Sequence, residues 1–226
     1  MKLEKITNLH GRRYDDACGT ALGLEILGER WALLVVRELM LGPKRFGDLR
    51  ASLPGLSANV LTQRLEGLEA AGVLVRRRLA PPASVQVYEL TPWGLEAEPI
   101  IQAMGRWAAR SPDHDATLPL SPVGLMLSFR TMFDADKAGA ARTALGFRFG
   151  AECFVVRVAD GRLSAARIEP DGVEAVVTGT PEAVAAAVYG PAPEALAGLT
   201  VEGEAEAFVR FTRWFELPPK AERRAA

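Results

Sequence analysis

The chain has 226 residues, 49% of them hydrophobic and 24% charged, which is apolar material enough for more than one packed core and argues against wholesale disorder. No apolar run approaches the roughly 20 residues of a membrane span, and the opening MKLEKITNLHGRRYDDA lacks the apolar core of a signal peptide, so a cytoplasmic protein without membrane contact is expected. The net charge of −1 conceals an asymmetry: residues 1–112 carry 15 Lys+Arg against 12 Asp+Glu, net +3, and residues 113–226 carry 12 against 16, net −4.

From Leu24 to Leu41 the apolar positions Leu24, Leu27, Trp31, Leu34, Val35 and Leu39 predict one helix, or two closely joined, ending at Gly42-Pro43. A short basic helix from Lys44 to Ser52 follows, with Phe46 and Leu49 turned inward and Pro54-Gly55 closing it. Ser57 then reads as the N-cap of a helix to Ala71, backed by Val60, Leu61, Leu65 and Leu68 and stopped by Gly72. Strands Val73 to Leu79 and Val85 to Leu90 flank Ala80-Pro81-Pro82-Ala83-Ser84, a hairpin tip too rich in proline for a central strand. Thr91-Pro92 starts a helix to about Ala109, whose stripe of Leu95, Ile100, Ile101, Met104 and Trp107 exceeds what a small domain buries and suits a dimer seam. Three prolines between Ala109 and Pro122 mark a linker, giving domains at 1–112 and 118–217 and a polar tail, Pro218 to Ala226, expected to fray.

The second half begins with an apolar helix, Pro122 to Phe133. Strands are expected at Ala144 to Phe149, Glu152 to Ala159, Leu163 to Ile168 and Val173 to Thr178, with Asp160-Gly161 as a hairpin signal. Thr180-Pro181-Glu182 opens a helix to Tyr189, Leu199 to Gly203 is a short strand, and Glu204 to Phe215 a final amphipathic helix. The overall class is therefore α+β.

The two cysteines, Cys18 and Cys153, and the two histidines, His10 and His114, lie far apart in sequence, so no metal site, disulfide framework or cofactor is expected. No hydrolase-like constellation and no phosphate-binding Gly loop is present, and an enzyme is not the expected class. The Ser57 to Ala71 helix suggests another role. With its leucines packed inward, Ala58, Asn59, Thr62 and Gln63 are left on the opposite side; Asn and Gln pair bidentately with adenine, and Ala and Thr meet a thymine methyl in the major groove of DNA. Ser57 and the free amides of the first turn suit a phosphate. Lys44 and Arg45 are placed to clamp phosphates from the preceding helix. In Arg76-Arg77-Arg78, strand alternation turns Arg76 and Arg78 to one side and Arg77 to the other, so only part of the run faces a duplex. Arg64 is expected in an internal ion pair with Glu38 or Glu69.

These segments resemble the HxlR family of bacterial winged-helix transcription regulators over roughly Cys18 to Trp107. The likeness rests on Cys18, Leu24-x-Ile26-Leu27-Gly28-x-x-Trp31, Leu39-x-x-Gly42-Pro43-x-Arg45-Phe46-x-x-Leu49 and Leu53-Pro54-Gly55-Leu56-Ser57. It continues through Leu61-Thr62-x-Arg64-Leu65-x-x-Leu68-x-x-x-Gly72, Tyr88-x-Leu90-Thr91-x-x-Gly94 and Trp107. The resemblance implies a sequence-specific regulator that binds double-stranded DNA as a homodimer on a roughly palindromic operator. It puts the Ser57 helix in the major groove, Ala80 to Ser84 at the wing, and the terminal helices of the domain at the dimer interface. Cys18 falls where some members carry a redox-sensing cysteine, with Gly19 in place of the usual proline; Arg12 and Arg13 would favour its thiolate if they fold close.

The element order of the second half, with Val158-x-Asp160-Gly161, Thr178-Gly179-Thr180-Pro181 and Val201-x-Gly203-x-x-x-x-Phe208-x-x-Phe211, resembles the sterol-carrier-protein fold, a sheet with helices over one face. That resemblance implies an apolar cavity for a hydrophobic small-molecule effector, with Leu127, Phe129, Phe133, Phe147, Phe149, Phe154, Val156, Phe208, Phe211 and Trp214 as its lining. The same aromatics would equally fill a core, in which case no ligand enters. Cys153, beside Phe154, is expected to be buried rather than reactive. The rival to a regulator is a lipid carrier or interaction module whose winged helix has lost contact with DNA.

Overall fold

Between Leu27 and Ala32 the chain leaves the helical path, because Trp31 takes a left-handed conformation (φ 80°) that an L-residue adopts only when its surroundings enforce it. The computed structural model, which describes residues 14–80, 84–190 and 196–222, therefore has two helices here, α1 (Gly19–Leu27) and α2 (Ala32–Leu39). The break resets the helical register. Ala32, Val35, Val36 and Leu39 are buried, whereas Leu24 and Leu34, expected on the same stripe, are exposed.

The next elements are α3 (Phe46–Ser52), α4 (Ala58–Ala70), the antiparallel strands β1 (Leu74–Arg78) and β2 (Gln86–Leu90), and α5 (Pro92–Leu95). Pro81, Pro82 and Ala83 of the expected wing lie outside the described residues. The single helix foreseen from Thr91 to Ala109 is instead α5 followed by α6 (Glu98–Ala109). Pro99 is the physical reason: it lacks an N–H, and its ring would strike the carbonyl four residues back, at Leu95.

Contacts divide the chain into two units, one running to Leu39 and from Pro43 to Leu95, the other comprising Met40–Gly42 and everything from Glu96 onward. In the first, Leu61, Leu65, Leu68, Leu49, Val35 and Leu74 are sealed from solvent. Thr91 holds its edge, its hydroxyl donating to Gly72 O (2.8 Å) and accepting from Gly94 N (3.0 Å).

The second unit continues with α7 (Pro122–Met132), α8 (Ala135–Ala138), β3 (Thr143–Phe149), β4 (Glu152–Ala159), β5 (Arg162–Ala166), β6 (Ala175–Thr178), α9 (Pro181–Tyr189), β7 (Thr200–Gly203) and α10 (Ala205–Thr212). Its strands follow the expected runs to within a few residues, while α8 was not foreseen. They form one mixed sheet in the order β5-β4-β3-β6-β7, with β3 and β6 parallel and the other neighbours antiparallel. Asp160 and Gly161 both have positive φ, as a two-residue hairpin between twisted strands requires.

Helix α6 is anchored in this unit by polar contacts. Arg130 on α7 grips the Glu98 carboxylate through Nη1 (2.7 and 2.8 Å) and donates from Nη2 to Ala165 O on β5 (2.6 Å). Arg106 donates to Thr131 O (2.8 Å). The tail is held rather than frayed as far as it is described: Lys220 Nζ donates to Ala109 O (3.0 Å) and Ser111 O (3.1 Å), and Ala221 N to Arg110 O (2.7 Å). A lysine there satisfies carbonyls that the end of α6 leaves unpaired and complements its dipole.

Gly94 offers a direct check of the packing in the first unit. A Cβ at this position would stand 2.0 Å from Val73 O and 3.3 Å from Leu90 Cβ, both on fixed backbone or packed strand. Gly94→Ala is expected to lower unfolding free energy by about 1–3 kcal/mol, read from urea denaturation, and an unchanged midpoint would contradict this packing.

Candidate nucleic-acid interface

The orientation of α4 follows from its two ends and its buried side. Ser57 has extended backbone and accepts the Val60 amide through Oγ (3.3 Å), which starts the helix. Leu61, Leu65 and Leu68 are at most 2% exposed, so the helix cannot rotate without exposing leucine. Asn59, Thr62 and Gln63 are consequently exposed, Ala58 is half-buried, and Glu66 extends the same face one turn further. Thr62 spends its hydroxyl proton on Ala58 O (3.0 Å), leaving its methyl and oxygen lone pairs outward.

The basic residues divide into those that are free and those already engaged. Lys44, expected to clamp a phosphate, is 2% exposed, and its ammonium lies 3.1 Å from Glu38 Oε2 and 3.0 Å from Ser52 Oγ. This is a correction: the side chain points into the unit because Glu38, itself fully buried on α2, needs countercharge. Its backbone is committed as well, pairing with Tyr88 of β2 in both directions (3.1 and 2.9 Å). Arg45 is exposed at the start of α3, and Arg50, which sequence reasoning missed, is exposed on the same helix one residue past buried Leu49. Its signal was its place one residue past inward-facing Leu49, about 100° round the helix from it.

Along β1, Arg76 pairs with Glu69 of α4 (2.7 Å) and stands over the Tyr88 ring at 5.7 Å. The Glu69 carboxylate accordingly raises its pKa further. Arg77 pairs with Glu89 (2.6 Å), while Arg78 meets only the Ser84 carbonyl (3.3 Å) and has no carboxylate partner among the described residues. Ser84 itself is exposed, with φ 41°. Arg64 does make an ion pair, but with Glu29 (3.2 Å) in the turn before α2, not with Glu38 or Glu69.

Cys18 is exposed at the N-cap of α1. The Thr20 hydroxyl, followed by the amides of Thr20 and Ala21, lowers its thiol below the ordinary cysteine value. Arg12 and Arg13, invoked for the same effect, lie outside the described residues. Cys153 is half-buried, and desolvation pushes its thiol up.

The aromatic residues expected to line a cavity are in contact with one another. Phe129 meets Phe147, Phe211 and Phe215 at 5.2–5.6 Å between ring centres, and Phe211 meets Phe215 at 4.7 Å. Leu127, Phe149, Phe154, Val156, Phe208 and Trp214 are buried around them, and Phe133 is half-buried at the margin. Edge-to-face and tilted pairs at these separations are close-packed core, not the wall of an open space.

The profile of HxlR-like helix-turn-helix proteins matches residues 26–116. An HTH-type transcriptional regulator of Bacillus subtilis, YvaP, is 41% identical over 86 residues, covering 38% of this chain and 79% of its own. The chain belongs to the HxlR-like helix-turn-helix family. A second regulator of that organism, YodB, is 38% identical over 84 residues, covering 37% of this chain and 74% of its own. The solved reduced form of YodB aligns with 44% of this chain and 100% of its own at 30% identity, with a TM-score of 0.40. This HxlR-type chain is a DNA-binding transcriptional regulator whose family likeness stops short of the second half. No helix among its described residues is long and apolar enough to cross a membrane.

The buried Lys44–Glu38 pair separates a structural from a DNA-binding role. Lys44→Ala is expected to cost about 3 kcal/mol of stability, at the lower end for a broken buried pair because Arg37 still reaches Glu38 Oε1 (2.9 Å). Chemical denaturation checks it, and a variant as stable as the parent would refute the structural assignment.

Proposed function

We propose that this regulator acts as a homodimer on a roughly palindromic operator, with α4 of each subunit in the major groove and the wing, including Ser84, beside the backbone. The observation that carries this reading is the exposed face of Asn59, Thr62 and Gln63 on a helix whose opposite side is locked by leucine. Side chains of these types read base edges, while Ser57 with the first-turn amides, Arg45, Arg50 and Arg78 hold phosphates. Arg76 joins them only if a phosphate competes with Glu69. Each unit leaves apolar side chains in solvent for a second subunit to cover, the first on α1 (Leu22, Leu24) and the second on α6 (Ile100, Met104 and Trp107, the last 75% exposed).

For the second unit, the mixed five-stranded sheet and the order of its helices support a sterol-carrier-like fold. A hydrophobic effector in its interior would have to part rings already in contact, and only a ligand with unequal affinity for two arrangements could alter DNA binding. Cys18 is the candidate for regulation by oxidants or electrophiles. A cytoplasmic location fits a protein whose partner is DNA.

Two substitutions separate base reading from phosphate binding. Gln63→Ala is expected to relax preference at one base position at a cost of about 1–3 kcal/mol, whereas Arg45→Ala should weaken binding evenly across sequences and reduce the salt slope by about 1. Anisotropy titrations on operator and random duplexes read both effects, and equal behaviour of the two variants would overturn the division of roles. For Cys18, the lowered thiol implies that iodoacetamide reactivity rises with pH at lower values than for an ordinary cysteine. Mild quinone or peroxide treatment should modify Cys18 before Cys153 and lower operator affinity. No modification at Cys18, with affinity unchanged, would end the sensing role.

A further inference from the structure

Helix α6 turns a polar side toward α7 and an apolar side to solvent. Glu98, Gln102 and Arg106 recur every fourth residue: Arg130 of α7 grips the Glu98 carboxylate (2.7 and 2.8 Å), Gln102 donates to the same carboxylate (2.9 Å), and Arg106 donates to Thr131 O near the end of α7 (2.8 Å). A rotation of about 100° per residue puts Ile100, Met104 and Trp107 on the opposite side, and all three are exposed. Turning them inward would break the Arg130–Glu98 pair.

The apolar side has a defined order. Glu96, Ile100, Ala103, Trp107 and Arg110 alternate at spacings of four and three, which keeps them in one line along a helix. The two caps of α6, Ala97 and Arg110, both have helical angles, so Glu96 and Arg110 continue the line at its ends. At one end stands an exposed carboxylate with no hydrogen-bond or ion-pair partner among the described residues. At the other stands an exposed guanidinium that uses only Nε, on Pro219 O (3.3 Å). Between them the line carries no charge, and its centre, equidistant in sequence from Glu96 and Arg110, is the small, exposed Ala103.

An apolar line with opposite charges at its ends is complementary to its own reverse, as a two-fold contact requires. Laid antiparallel, two copies set Glu96 of each against Arg110 of the other, Trp107 against Ile100, and the two Ala103 residues at the crossing, where small side chains let helix axes approach closely. A parallel pairing would bring like charges together at both ends. We propose that α6 pairs antiparallel with α6 of a second copy, Glu96 of each meeting Arg110 of the other, with Arg130 fixing which side of the helix is offered. The pairing rests on the homodimer reading and adds to it the side and direction of the seam.

Sedimentation equilibrium of the full chain tests it. Glu96→Arg and Arg110→Glu each place like charges at both ends of the seam, so each should weaken self-association about tenfold or more, with the circular dichroism unchanged because both residues are exposed. In an equimolar mixture every reversed charge meets an opposite one. The two variants should therefore associate with each other about as tightly as the parent does with itself, and native mass spectrometry should find the mixed dimer in excess over either homodimer. A dimeric parent whose variants associate as it does, or a mixture without excess of the mixed dimer, would overturn the antiparallel seam while the homodimer stands. A parent that stays monomeric up to about 100 μM would overturn both.

Discussion

Lys44 is the residue through which the first unit is joined. Its ammonium answers the buried Glu38 carboxylate of α2 and the Ser52 hydroxyl at the end of α3, and its backbone pairs in both directions with Tyr88 of β2. Three elements of the helix-turn-helix and its hairpin therefore meet at one side chain and one peptide. A buried ion pair is weak evidence for net stability, since desolvation offsets much of the Coulomb attraction, but it penalises any arrangement that leaves either charge alone. Here the constraint fixes where α3 and β2 lie, and the leucines of α4 then fix which side of that helix meets solvent.

A second constraint acts on α6. Arg130 holds its first turn, Arg106 its middle and Lys220 its last carbonyls, all with partners in the second unit. The outer stripe of the same helix is exposed. A helix anchored in one core and apolar on its free side can carry a change in that core to whatever covers the stripe, provided a ligand binds one arrangement better than another.

Much of the fold was legible because its signals are local. Ser57 as a cap, leucines at helical spacing behind it, and Asp160-Gly161 as a hairpin turn each report on a few neighbouring residues, and the structure has all three. Residues whose role depends on distant partners were mostly not legible. Lys44 resembles any surface lysine until Glu38 is found buried beneath it. The helix expected from Thr91 differs for a local reason, Pro99, which interrupts it within an otherwise continuous apolar stripe. The tail from Pro218 is polar in composition, yet its anchor is a set of helix-end carbonyls over a hundred residues earlier in the chain. The aromatic set in the second unit is apolar and, Phe133 apart, buried, but spacing along the chain cannot distinguish a filled interior from a hollow one. Of the candidate DNA contacts, Asn59, Thr62 and Gln63 on α4 emerge exposed because helical periodicity decides them, and those on β1 are divided by carboxylates that no strand pattern reveals.

Methylation-protection footprinting of the full chain on its operator tests the central claim most directly, since guanine N7 lies in the major groove and adenine N3 in the minor groove. Two patches of guanine N7 protection, about one helical turn apart and lost in an Asn59→Ala, Gln63→Ala double variant, are the expected result. Protection confined to adenine N3, or no protection of any duplex at low salt, would contradict the assignment of α4 as the helix that reads DNA.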